Sequence, residues 1–278
     1  MTVFAGCGQV SEPAAVPDEQ TVQENKPALP EEKILDEGLV PVYAENIKSG
    51  VYTVDVLSSS TMFNVESCEL RVEGGSMTAD MTMSAKGDKY VFLGSAEDAQ
   101  AAPAEALIEP VVDPDGFAHF TLPVEALDKS IAIAVYSESK EKWADRKILF
   151  STGDIPLSAY ADGYLKDAAA IGLEDGEYTI EVNLIGGSGR ASIESPAKLT
   201  VSGGKAIAAV KWSSDKYDYM IVDFEMYKPA ATEGGSVFEI PVGAFDYNLS
   251  VKADTTAMSA PHEIPYKLYF DSETIKNK

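Results

Sequence analysis

The sequence predicts an all-β protein: two β-sandwiches in tandem behind a polar N-terminal tether. Three observations carry this. Apolar and polar residues alternate in short runs, Gly-Gly pairs punctuate the runs, and the runs recur in the same order in both halves of the chain. Successive side chains of a strand point to opposite faces. Period-two patterning therefore marks a half-buried strand, and glycine pairs mark the turns between strands.

The chain opens MTVFAGCGQV. A short apolar run ends in Phe4-Ala5-Gly6-Cys7, which resembles a bacterial lipoprotein signal in which the cysteine after a small residue receives the lipid. Cys7 is the expected lipidation site, at the end of a truncated signal. The following residues are rich in Pro, Glu, Gln and Ala, with few large apolar side chains. Such a segment cannot bury enough surface to offset the entropy of ordering, and proline and like charges keep it extended. Residues 1–45 are thus read as truncated signal and disordered tether, with contact to the membrane only through the lipid anchor.

From residue 46 the chain repeats itself. SGVYTVDV (49–56) returns as DGEYTIEV (175–182), and VESCELRVEGG (65–75) as IESPAKLTVSGG (193–204). FTLPVEALD (120–128) returns as FEIPVGAFD (238–246), and RKILFST (146–152) as YKLYFDS (266–272). Self-similarity over ~110–120 residues is a domain duplication, longer than the period of a solenoid. Each block reads as strand: Tyr52, Val54 and Val56 alternate with Thr53 and Asp55, and Leu70 and Val72 alternate before Gly74-Gly75. Many short strands at this spacing predict a sandwich. Pro123 and Pro241 lack an N–H and belong at sheet edges or bulges. Residues 46–152 form the first expected domain and 173–278 the second. Residues 153–172 are read as linker, with one or two helical turns open to Leu165–Ile171.

The balance of 45 Asp and Glu against 22 Lys and Arg gives a net charge of −23. That excludes nucleic acid and anionic lipid surfaces as partners, because both need basic patches. No apolar run reaches the ~18 residues of a membrane-spanning helix. The two cysteines, Cys7 and Cys68, and two histidines, His119 and His262, supply neither a disulfide framework nor a zinc site. No Ser/His/Asp set or catalytic carboxylate pair stands out, so the sequence reads as non-enzymatic, with no catalytic residues.

The second copy resembles the NEAT (near-iron transporter) family. The resemblance lies in Leu173–Thr179 (LEDGEYT), Pro196–Val201 (PAKLTV), Phe238–Phe245 and Leu268–Asp271, in the family's order. It spans nearly all of residues 173–272, and the first copy matches more weakly. It implies two tandem immunoglobulin-like β-sandwich domains on the surface of a Gram-positive bacterium. It also implies non-covalent haem or iron-porphyrin binding for uptake. The partners implied are haem or a haem-carrying protein, and an iron/haem ABC transporter or another surface receptor. In the family a tyrosine near the end of the domain holds iron and a second, four residues on, supports it. The corresponding positions here are Ala260 and Ile264, and in the first copy Lys140 and Ala144. None is tyrosine.

Met258 and His262 flank the missing tyrosine on one face if this segment is extended, and both residue types serve as axial haem ligands. They are the candidate iron ligands. Tyr217, Tyr219, Met220, Met226 and Tyr227 gather within SSDKYDYMIVDFEMY, a flat and polarizable set suited to a porphyrin wall or, equally, to a core. In the first copy Met62 stands near the family's Ser-Met helix and marks a candidate pocket. Met77, Met81 and Met83 read as core, and Lys140, Lys142, Trp143 and Arg146 as a basic-aromatic cluster open to propionates or an acidic partner. The rival to haem is an adhesion, protein-binding or glycan-binding module.

Overall fold

The computed structural model describes residues 1–2, 36–84, 87–257 and 262–278. Cys7 and Met258 lie outside these residues. By internal contacts the chain divides into Met1–Lys33 and one compact unit, Ile34–Lys278. That unit is built almost wholly of antiparallel strands, so the all-β expectation holds.

The first half contributes β1 (Val42–Tyr43), β2 (Gly50–Thr53), β3 (Val56–Ser58), β4 (Val65–Glu73), β5 (Ser76–Met83) and β6 (Asp88–Leu93). A short helix, α1 (Ala96–Ala101), follows, then β7 (Val111–Val112), β8 (Ala118–Val124), β9 (Ala126–Leu127), β10 (Ser130–Ser137) and β11 (Lys142–Phe150). The second half contributes β12 (Gly176–Ile180), β13 (Val182–Gly186), β14 (Ala197–Ser202), β15 (Lys205–Lys211) and β16 (Tyr217–Val222). It ends with β17 (Glu225–Tyr227), β18 (Val237–Pro241), β19 (Asn248–Thr255), β20 (His262–Phe270) and β21 (Lys276–Asn277).

The sequence repeat becomes a repeat of strand order. The first half has sheets β2-β4-β5-β8-β7 and β3-β11-β10-β6; the second has β21-β12-β14-β15-β18 and β13-β20-β19-β16-β17. Matching β2 with β12, β4 with β14, β5 with β15 and β8 with β18 leaves only β7 and β21 as additions. The other sheets match likewise, with β17 added. The Gly-Gly pairs make the expected two-residue hairpins: Gly74 and Gly75 have φ 59° and 77°, Gly203 and Gly204 φ 57° and 75°. Positive φ at both positions matches the twist of the flanking strands.

Alternation fills the cores. Met77, Ala79, Met81 and Met83 point inward from β5, as do Ala206, Ala208 and Val210 from β15. Phe120, Phe150, Phe238, Phe270 and Trp212 complete the apolar layers. Cys68 is a buried free thiol, and burial pushes its pKa up to about 12.

The folded unit reaches further upstream than the tether boundary at residue 45. Val42 and Ala44 are buried, β1 pairs with β9, and Asp36 accepts from the Ser130 N–H and hydroxyl at 3.0 and 2.6 Å. The apolar residues of GLVPVY at 38–43 explain this. The expected linker is likewise integrated: Ile155, Ala159, Tyr160 and Ala168 are buried, and short 3₁₀ turns span Thr152–Asp154 and Leu157–Ala159.

Polar contacts join the halves. Lys267 on β20 donates to Asp128 at 3.1 Å, to Ser250 at 2.9 Å and to Thr152. Burial pushes the Lys267 pKa down, against the pull of Asp128. The hydroxyls of Tyr160 and Tyr247 are hydrogen-bonded, and Lys252 pairs with Asp154 at 3.1 Å.

Candidate ligand-binding cleft

Two members of the basic-aromatic cluster of the sequence, Lys142 and Trp143, line a cleft on the outer face of the sheet β3-β11-β10-β6. Val91, Ile133, Val135, Ile148 and Phe150 use one parity of their strands for the core. Tyr90, Tyr136 and Trp143 occupy the other parity. Register sets them side by side, because Tyr136 lies opposite both Trp143 and Tyr90. Their rings touch: centroids are 5.4 Å apart for Tyr136–Trp143, 6.0 Å for Tyr90–Tyr136 and 6.4 Å for Tyr90–Trp143. Cross-strand aromatic pairs of this kind stabilise a sheet as well as present a surface.

Helix α1 forms the opposite wall. Ser95 caps it, its side chain accepting from the Asp98 N–H, and Asp145 on β11 accepts from the Ala96 N–H at 2.6 Å. Ile108, downstream of α1, bridges to Val91 on β6. The space between is about 490 Å³ and is lined by Tyr90, Tyr136, Trp143, Leu107, Gln100 and Lys142, among others. This falls in the usual size range of a small-molecule site, about 300–1,000 Å³. Lys89 stands 5.4 Å from the centre of the Tyr90 ring. Asp88, at the same end of the sheet, has its pKa raised by burial, against the opposing pull of Arg146 and Lys140. The cleft thus combines three mutually tilted aromatic rings, at 30° to 65° to one another, with Lys142 and Glu141 on its lining.

Met62 is 62% exposed, and Lys140 of the β10–β11 hairpin donates to its sulfur at 3.6 Å. The candidate residue of the first copy therefore lies beside the same hairpin that carries Trp143.

In the second half the expected wall divides. Tyr217 and Met220 are buried: the Tyr217 ring packs 4.2 Å from Trp212, and the Trp212 indole N–H donates to the Met220 sulfur at 3.2 Å. Both are core residues, with no open face for a ligand. Tyr219 turns to the opposite side, where its hydroxyl donates to Glu263 at 2.7 Å, the first cause of a pKa pushed up to about 12. Met226 is 56% exposed on the edge strand β17, and Tyr227 beside it is half-buried. His262 is exposed at the start of β20, opposite Thr255. The cause of the division is a register shift between Tyr217 and Tyr219, which reverses the parity of β16.

The sequence reading did not single out Tyr90, Tyr136 or Tyr266. Tyr266 lies four residues after His262 and is buried, 5.1 Å from Trp212. The signal for Tyr90 and Tyr136 was available as aromatic residues on the non-core parity of two strands, but their pairing with Trp143 needs the register. Among the described residues, no group of three or more His, Cys, Asp or Glu side chains converges as a metal centre. Comparison with family models and with curated proteins gives no match.

Proposed function

We propose that this chain is a non-catalytic surface lipoprotein that captures haem or a similar iron-porphyrin for uptake, and that the cleft of the first half is its site. The observation that carries the reading is the clustered set of Tyr90, Tyr136 and Trp143 with Lys142 on the same lining. A porphyrin is planar, polarizable and anionic at its propionates. Aromatic rings match its face, and Lys142 on the lining matches its charge. Phenol oxygens serve as haem ligands in proteins, so Tyr90 or Tyr136 would take the role of the missing family tyrosine. Met62, at the hairpin, is the alternative ligand. The fold reading that accompanies this is two tandem immunoglobulin-like domains of the NEAT kind, 46–152 and 173–278, anchored through Cys7. The sandwich-like sheets and the repeated strand order support it.

In the second half a site would rest on His262 and Met258 with Tyr219, Met226 and Tyr227 at the surface. Tyr217 and Met220 would take no part without opening the core.

The test is a hemin titration of the full chain, followed by absorbance. A saturable Soret shift is expected, lost in Trp143→Ala and Tyr136→Ala and retained in His262→Ala. No saturable shift removes the haem reading. A shift lost only in His262→Ala moves the site to the second half.

A second reading, glycan binding, is favoured by Gln100 and Glu141 on the lining of the cleft. Their amide and carboxylate groups suit sugar hydroxyls, and Trp143 suits the apolar face of a sugar ring. Quenching of Trp143 fluorescence by an oligosaccharide, with no response to hemin, would select it.

A further inference from the structure

The outer face of β16, β19 and β20 carries a cluster unrelated to the aromatic cleft. Asp218 is the residue passed over at the register shift of β16, Asp254 on β19 lies opposite the adjacent Tyr219 with the Asp218 carboxyl beside its own, and Glu263 lies opposite Asp254 on β20. Asp254 is 1% exposed. Both of its carboxylate oxygens, and Oδ1 of Asp218, are buried without a hydrogen-bond partner. Burial, and then the neighbouring Asp218, raise the pKa of Asp254. The backbone N–H of His262 pulls the other way but stands outside hydrogen-bonding geometry.

The surrounding groups do not resolve this. Tyr219 gives its proton to Glu263, Lys252 pairs with Asp154, and Lys228 lies 4.9 Å over the Tyr219 ring. Buried carboxylates without donors are costly and call for either a proton or a cation. One shared proton joins two oxygens, whereas three are without partners here. The donor set is all oxygen, with no nitrogen or sulfur, which suits a hard cation. Calcium accepts carboxylates in irregular geometry and completes its shell with backbone carbonyls and water. Two side chains converge and not three, which fits a low-affinity site.

We propose that Asp218 and Asp254 bind a divalent cation, calcium being the ion their oxygens fit, and that it ties β16 to β19 beside the hairpin that bears His262. The proposal is independent of the haem reading.

The test is calcium titration of the chelator-stripped full chain by calorimetry, with thermal unfolding alongside. One saturable site is expected, with a Kd in the ~10⁻⁴–10⁻³ M range of extracellular calcium modules, and a rise in Tm that saturates with it. Asp254→Asn and, separately, Asp218→Asn should each weaken binding by about tenfold or more, a loss of about 1.4 kcal/mol. Glu73→Gln, which removes an exposed carboxylate elsewhere, should leave it unchanged. Binding of the same strength in both aspartate variants overturns the site and assigns the calcium to diffuse negative charge. Absence of saturable binding, with Asp254→Asn more stable than the parent at neutral pH, overturns it in favour of a shared proton.

Discussion

Tyr217 and Tyr219 stand two positions apart, yet they face opposite sides of their sheet. A regular strand would keep them together, and the register shift between them separates them. The sequence showed which residue types gather in this stretch but not that a single irregularity sorts them into core and surface. The sorting has a measurable consequence. Met220 is fully buried under the Trp212 indole, whereas Met226, six residues on, is 56% exposed. Truncating a buried methionine loses both transfer energy and packing, about 2–5 kcal/mol, whereas an exposed one costs within about 0.5 kcal/mol. Urea denaturation of Met220→Ala and Met226→Ala should therefore give clearly separated midpoints. Equal losses would mean that Met220 is not packed in the core as its contact with Trp212 requires.

At the scale of elements, the sequence was most legible where local chemistry dictates the backbone. The Gly-Gly hairpins, the alternating faces of β5 and β15, and the placement of the prolines all follow from residue type. Pro241 lies on β18, the edge strand of its sheet, and Pro123 lies on β8 beyond the reach of β7, which pairs only with Ala118 and His119. Less legible were the corners. Asp128 and Asp246 close the two repeated blocks, each with positive φ, 54° and 55°. Asp246 accepts from the Ser272 N–H at 2.8 Å and hydroxyl at 2.6 Å, and Asp128 accepts from Thr152 at 3.0 and 2.6 Å. Aspartate suits the place twice, since it tolerates the left-handed region and its carboxylate ties the corner to the end of the next strand pair. Asp246→Ala should cost about 1.5–3 kcal/mol, the range for hydrogen bonds to a charged group. Asp246→Asn, which keeps one acceptor oxygen, should cost less. Thermal unfolding reads both, and a harmless Asp246→Ala would remove the corner from the fold's supports.

At the scale of the whole molecule, the repeat disclosed a strand order used twice but not the joint between the halves. Lys267 has the polar parity of β20 and reads in sequence as a solvent-facing lysine, whereas the first half covers it and supplies Asp128 and Thr152. Thr152, Tyr160, Tyr247 and Ser250 are equally ordinary in sequence. Apart from Ser250, which lies 17 positions from Lys267, their convergence depends on contacts across 87–139 positions, which no local pattern reports. The cleft at Trp143 was half-legible for a similar reason: the cluster of basic and aromatic residues was visible, the partners on β6 and β10 were not. The joint predicts cooperativity. The two tryptophans, Trp143 and Trp212, report one half each, so emission from Trp212→Phe and Trp143→Phe variants follows each half separately. Coincident transitions are expected, the ordinary sign of one cooperative unit. The two equivalent corners then isolate the contribution of the joint. Asp246→Ala removes a corner only, but Asp128→Ala also leaves the Lys267 ammonium buried without its carboxylate. Breaking a buried pair from one side costs about 3–5 kcal/mol. Asp128→Ala should therefore be the more destabilising of the two and should pull the Trp143 and Trp212 transitions apart. If the two alanine variants lose the same stability, Lys267 contributes nothing to holding the halves together, and the joint rests on the Tyr160–Tyr247 contact and the packing around it.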